Sequence, residues 1–256
     1  MLENEKQQPL IQSVSRASAI LKCFGSNTGL GLSEIARMVG LHKSTAAGII
    51  NTLKAEGFLE QDERTGKLRL GLSLFSLAVQ SRRDMAEICD PYLNELLNLT
   101  GETVNLAVLD KTEVVYIAKK ESLHSIRIST SVGTRLPVYC TAMGKAMLAA
   151  MDRAKAEALI DSIELIPRTS KTIVEKNKLL EDIDAIKRDG VAYDLEEFEP
   201  GVICVSSSLR YTDHDPIGAI SVSGPYIRID DETRKTITGY VNQIANKICN
   251  ELARLA

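Results

Sequence analysis

The chain of 256 residues contains no tryptophan, only 4% aromatic residues and three histidines. His42, His124 and His214 stand far apart, with no helical i, i+4 pair to grip a zinc ion, so neither a metal nor a cofactor is expected. The five cysteines, Cys23, Cys89, Cys140, Cys204 and Cys249, are odd in number, scattered, and form no Cys-x-x-Cys pair. That excludes a disulfide framework or zinc knuckle and favours a reducing cytoplasm. Long apolar runs are missing as well. The most apolar tract, LPVYCTAMGKAMLAAM, is interrupted by Lys145, and the N-terminal MLENEKQQPLIQ lacks the basic-then-apolar order of a signal peptide. A soluble protein with no membrane partner is expected.

What is present is ordinary globular material, 44% hydrophobic and 25% charged, in a chain long enough for two domains with a core each. The net charge of −3 hides a division: residues 1–71 hold nine Lys/Arg against seven Asp/Glu, net +2, leaving 22 against 27, net −5, for the rest. The basic part is the small N-terminal one.

Within it, apolar residues from Val14 through Ala17, Ile20, Leu21 and Phe24 recur at helical spacing until the breakers of GSNTGLG. A short helix in LSEIARMVG closes at Gly40, and after Leu41-His42 a longer one carries Ala46, Ile49, Ile50 and Leu53 on one side. Two helices joined by a short turn at a glycine describe a helix-turn-helix. FLEQDERTGKLRLG then reads as a β-hairpin around Gly66, which completes a winged helix over residues 1–71.

Lys43-Ser44-Thr45 also invites comparison with a phosphate-gripping loop. That loop needs two glycines at fixed spacing after a strand, whereas His42 precedes Lys43 here and a helix precedes both. As the start of a recognition helix the same residues make sense: His42, Lys43, Ser44, Thr45, Ala47, Gly48 and Asn51 face outward, toward the major groove of double-stranded DNA. Arg64, Lys67 and Arg69 of the wing are placed to reach an adjacent phosphate backbone. The alternative is a winged helix that contacts protein partners instead of DNA.

LSLFSLAVQSRRD (72–84) reads as a linker helix, with Leu74, Phe75 and Ala78 on one side, and MAEICDPYLNELLNLTGE as a second helix entered near Pro91. Residues 85–256 then mix strands and helices with hairpin-like neighbours, which favours an α+β domain. Thr141 is a plausible N-cap for a helix beginning Ala142-Met143-Gly144, whose free amides and small side chains suit a carboxylate. Ser221 and Ser223 are two apart on a strand and share a face, and Asp194 and Cys204 lie in neighbouring strand-like segments. Against catalysis, Glu196, Glu197 and Glu199 read as a solvated acidic turn, and neither Cys140 nor Cys204 has a placed histidine.

GLSEIARMVGLHKSTAAGIINTLKAEGFLEQDERTGKLRLG resembles the DNA-binding domain of the IclR family of bacterial transcription factors. GETVNLAVLD, GTRLPVYCTAMGKAMLA, GVAYDLEEFEPGVICVSSSLR and GAISVSGP extend that resemblance through the second domain. It implies a winged helix-turn-helix, a linker helix and a GAF-like effector domain with a curved antiparallel sheet, assembled as a homodimer or homotetramer. By the same resemblance, Ala142, Met143, Asp194, Cys204, Ser221 and Ser223 match effector-contacting positions and Ile128 and Leu136 an apolar wall, for a small organic-acid or sugar-acid ligand. Repression is the commoner mode in the family. One departure stands out: where the family usually carries a large polar or basic residue, this chain has Ala47-Gly48.

Overall fold

The computed structural model describes residues 10–24, 29–210 and 215–255. Readings that fall on residues 1–9, 25–28 and 211–214, His214 among them, and on the side chains of Phe75 and Ala78, lie outside them. The chain divides into two compact units, Met1–Arg83 and Asp84–Ala256.

The first unit holds α1 (Gln12–Lys22), α2 (Leu32–Met38), α3 (Lys43–Ala55) and a hairpin of β1 (Leu59–Gln61) and β2 (Leu68–Leu70). The spaced apolar positions converge on one core, with Ile20, Phe24, Ile35, Ile50, Leu53, Leu59 and Leu68 buried together. Val14 is an exception: it sits on the first turn of α1, ahead of that core, and is exposed. Glu34 accepts the Gly31 N–H at 2.7 Å to start α2. The helix stops because Gly40 turns into the left-handed region at φ 64°, where a side chain is costly. Leu30 exchanges backbone hydrogen bonds with Leu68 at 3.0 and 2.8 Å, adding a one-residue third strand to the wing.

The two helices expected over 72–84 and 85–102 are one, α4 (Leu72–Thr100), with Pro91 inside it rather than at an entry. Cys89, Leu93 and Leu96 on either side of the proline are fully buried. Packing of that face outweighs the lost backbone bond.

In the second unit β3 (Thr103–Asp110), β4 (Glu113–Lys120), β5 (Arg135–Pro137), β6 (Ala192–Leu195), β7 (Val202–Leu209) and β8 (Gly218–Pro225) form one sheet in the order β5-β4-β3-β8-β7-β6. Every neighbouring pair is antiparallel. Strand parity gives the sheet two different faces. Val104, Leu106, Val205, Ile220 and Val222 pack with α4 and with α8 (Asp231–Leu255) into the main core. The opposite face carries Thr103, Asn105, Cys204, Ser221 and Ser223, polar side chains that a core would not choose. Over that side lie α5 (Ala142–Ala150), whose Met143 and Met147 pack on Ala107, Tyr116 and Ala219, and behind it α6 (Arg153–Asp161) and α7 (Lys176–Asp189). The mixed α+β architecture read from the sequence is the one observed; β5, three residues without alternation, was not anticipated.

Candidate functional site

On α3, Ala46, Ile50 and Leu53 are buried, which turns Lys43, Ser44, Thr45, Gly48 and Asn51 outward and leaves Ala47 half-buried. His42 stands exposed at the N-cap and makes no side-chain cap bond. The hairpin is fixed to α3 through Gln61: Lys54 Nζ donates to Gln61 Oε1 at 2.7 Å, and Gln61 Nε2 donates to the Gly66 carbonyl at 2.9 Å. Lys54 and Gln61 had no signal in the sequence, since their contact depends on the fold. At the hairpin tip Asp62 Oδ1 accepts the N–H groups of Arg64 and Thr65, at 3.0 and 2.7 Å, and these bonds hold its carboxyl below the usual range. Arg64 and Lys67 are exposed on this turn. Arg69 is also exposed but directs its guanidinium onto Glu60 Oε2 at 3.1 and 3.2 Å, a surface ion pair within the hairpin.

In the second unit α5 and the polar sheet face enclose a cavity of about 220 Å³. Ile128, Leu136, Thr141, Ala142, Met143, Asp194, Cys204, Ser221 and Ser223, all singled out from the sequence, line it. Gly144 does not. Its N–H is donated at 3.3 Å to the Thr141 hydroxyl, which itself donates to the Pro137 carbonyl at 2.9 Å, so this amide closes the helix cap and is not offered to a ligand. Glycine is required there because a Cβ would stand 2.1 Å from the Val138 carbonyl oxygen. The lining also includes residues that went unrecognised: Tyr116, Phe198, Glu199, Val202 and the segment Ser129-Thr130-Ser131. Among the described residues no lysine, arginine or histidine lines it.

Two networks position the polar lining. Asn105, buried behind the serines, reaches Ser221, Ser223 and Thr130. Asp194 accepts the backbone N–H of Glu197 at 2.7 Å and of Phe198 at 3.3 Å through Oδ1. Burial nevertheless pushes its pKa up to about 7, against 3.8 for the free side chain, and the Glu197 charge adds to the rise. Burial also raises the thiol of Cys204 and the phenol of Tyr116, so both stay protonated at neutral pH. The acidic turn is not uniformly solvated as expected. Glu197 is buried against Lys145, itself buried on α5 and paired also with Asp182 at 2.8 Å, because a folded-in carboxylate needs a charge partner. Glu196 binds Lys171 and the Gly201 N–H instead. Among the described residues no group of three or more His, Cys, Asp or Glu is placed to hold a metal ion, and no helix is long and apolar enough to cross a membrane.

This arrangement has known counterparts. The family model described as the IclR helix-turn-helix domain matches residues 13–63, and that described as bacterial transcriptional regulator IclR C-terminal matches residues 77–250. The HTH-type transcriptional regulator KdgR of Escherichia coli is 30% identical over 250 residues, covering 97% of this chain and 95% of the relative. The transcriptional repressor IclR of the same organism is 32% identical over 228 residues, covering 87% and 83%. An IclR homologue from Microbacterium hydrocarbonoxydans, crystallised with 4-hydroxybenzoate, superposes with a TM-score of 0.84 over 96% of this chain and all of its own, at 22% identity, a likeness of fold. The relatives give no support to a winged helix reserved for protein partners. With both family models matched in order and relatives of this identity spanning most of its length, the chain belongs to the IclR family of DNA-binding transcriptional regulators, with an N-terminal helix-turn-helix and a C-terminal effector domain.

Proposed function

We propose that this regulator is a cytoplasmic repressor held on its operator by α3 and the β1–β2 wing, and released by a small organic or sugar acid bound in the α5–β8 cavity. Lys43, Ser44, Thr45 and Asn51 with His42, and the wing cations Arg64, Lys67 and Arg69, make the phosphate and base contacts. Ala47 and Gly48 let the backbone approach closely. The chain works as a homodimer or homotetramer on a roughly palindromic site, since each half-site must meet one recognition helix. No residue is assigned to catalysis.

The observation that carries the effector class is the composition of the cavity: hydroxyls of Ser221 and Ser223 and the α5 start at Ala142-Met143 facing an apolar wall of Ile128 and Leu136, with no basic side chain among the described residues. Such a lining neutralises a carboxylate with hydrogen-bond donors and a helix terminus instead of a counter-ion. The Microbacterium homologue's 4-hydroxybenzoate is a ligand of that class. The test joins two variants. S221A/S223A is expected to weaken binding of an acid found by a thermal-shift panel by about tenfold or more while leaving gel-shift retention of the DNA flanking its own gene unaltered. K43A/R69A is expected to weaken that retention and lower its salt dependence by about one to two counterions. Undiminished acid binding in the first, or undiminished retention in the second, would remove those residues from their assigned sites.

A further inference from the structure

We infer that Asn105 is a positioning residue that turns the Ser221 hydroxyl into a hydrogen-bond donor toward the effector's carboxylate and holds that of Ser223 beside it, an inference that rests on the acid-binding proposal above. Asn105 lies on β3 directly opposite Ser221 of β8 and is fully buried, behind the cavity rather than in its lining. Its Nδ2 stands 3.5 Å from Ser221 Oγ and 3.4 Å from Ser223 Oγ, and its Oδ1 accepts the Thr130 hydroxyl at 2.8 Å. An amide nitrogen has two hydrogens and no lone pair to accept with. Sharing them between two serine oxygens accounts for the two similar, rather long contacts. Each serine oxygen that accepts from Asn105 keeps its own O–H for an acceptor elsewhere. Ser223 has the Cys204 thiol as a cross-strand neighbour. For Ser221 the open direction is the cavity.

The same side chain fastens the cavity's rim. Thr130 is held by Asn105 Oδ1 through its hydroxyl and by Lys119 Nζ at 2.6 Å through its carbonyl, and Thr103 Oγ1 donates to the Ile128 carbonyl at 3.2 Å. Ile128, Ser129, Thr130 and Ser131 all line the cavity. One amide group thus ties the donors on the floor to the segment that borders them.

Aspartate has the shape of asparagine but no hydrogens to give when ionised. In N105D the serine hydroxyls turn back to donate to the new carboxylate, which also sets a negative charge behind the ligand. The test uses acetate, the smallest carboxylate, and acetamide, its neutral isostere, as probes of the full-length protein at matched ionic strength. Thermal midpoint is followed against probe concentration, with hydrogen exchange by mass spectrometry as a second measure. Wild type is expected to be stabilised by acetate and not by acetamide. N105D is expected to need about tenfold more acetate for the same rise, the loss that hydrogen bonds to a charged group imply. N105A, which removes the fastening without adding charge, is expected to speed exchange over residues 126–134 and to weaken acetate less than N105D does. Acetate titrations of N105D and N105A that superpose on wild type would overturn the inference. Equal stabilisation of wild type by acetamide would do so too. A wild type indifferent to acetate would instead remove the acid-binding proposal on which it rests.

Discussion

An aspartate lining a pocket proposed for a carboxylate repels its ligand unless it carries a proton, and Asp194, with its pKa pushed up to about 7 by burial, is poised between the two states. The Glu197 charge raises it further and the Lys145 charge opposes that, while the neighbouring Cys204, Cys140 and Tyr116, which the Asp194 charge raises in turn, stay protonated. Below about pH 7 the carboxyl is neutral and can donate to a bound acid; above it the ionised form must take up a proton for the acid to bind. Effector affinity is therefore expected to fall as pH rises through about 7, by up to about tenfold per unit beyond it. D194N keeps the Oδ1 that receives both backbone N–H groups and puts a permanent donor in place of the titrating oxygen. Its effector affinity, measured calorimetrically from pH 6 to about 8.5, is expected to be flat. The sign for stability follows from the same shift. The folded state holds a proton that the unfolded aspartate releases near 3.8, so ligand-free stability declines as pH rises from there to about 7, and D194N loses that decline. A pH slope retained in D194N would assign the titration to another group. The sequence made Asp194, Ser221 and Ser223 visible through strand parity and family likeness. Asn105 was hidden in TVNLAVLD, because only the β3–β8 register brings it to serines more than a hundred positions away.

The glycines within α3 and α5 stand there for opposite reasons. On α3 a Cβ at Gly48 would meet nothing within 4 Å, so no internal packing demands the glycine. On α5 a Cβ at Gly144 would sit 2.1 Å from the Val138 carbonyl oxygen and 2.6 Å from its carbon, backbone atoms that cannot step aside cheaply. G48A is accordingly expected to raise stability by up to ~1 kcal/mol through helix propensity while weakening operator binding, because the methyl group enters the surface that α3 presents. G144A is expected to cost on the order of 1–3 kcal/mol and to impair effector binding by displacing the α5 start. Chemical denaturation beside fluorescence anisotropy on operator DNA separates the cases; unaltered DNA affinity in G48A would mean that α3 does not approach DNA at that point. At this scale the helices were legible wherever apolar spacing was regular, as in α1 and α3. The reading failed where tertiary packing overruled a local rule: Pro91 signals a helix entry in isolation, but the buried Cys89, Leu93 and Leu96 carry α4 through it.

The division into two units falls within α4, between Arg83 and Asp84, so the chain that joins the DNA-binding unit to the effector-binding unit is helical. The charge division read from the sequence, net +2 for residues 1–71 and −5 for the remainder, suits the two partners unequally: the head is drawn to phosphate and the body is not. If an acid in the cavity lowers operator affinity by some factor, operator DNA must lower acid affinity by the same factor, because both routes around the cycle end in the same complex. That coupling is expected to be about 1–3 kcal/mol, a factor of roughly 5 to 150. Measuring acid affinity with and without saturating operator, and operator affinity with and without saturating acid, gives two independent values of it. Assembly state is a third equilibrium that can enter the cycle, so both values should be taken at two protein concentrations. Equal factors at both concentrations place the coupling within a fixed oligomer; factors that agree only after correction for assembly place it in subunit association. A null result in both directions would leave the two units acting independently and would end the proposal that this cavity controls DNA binding.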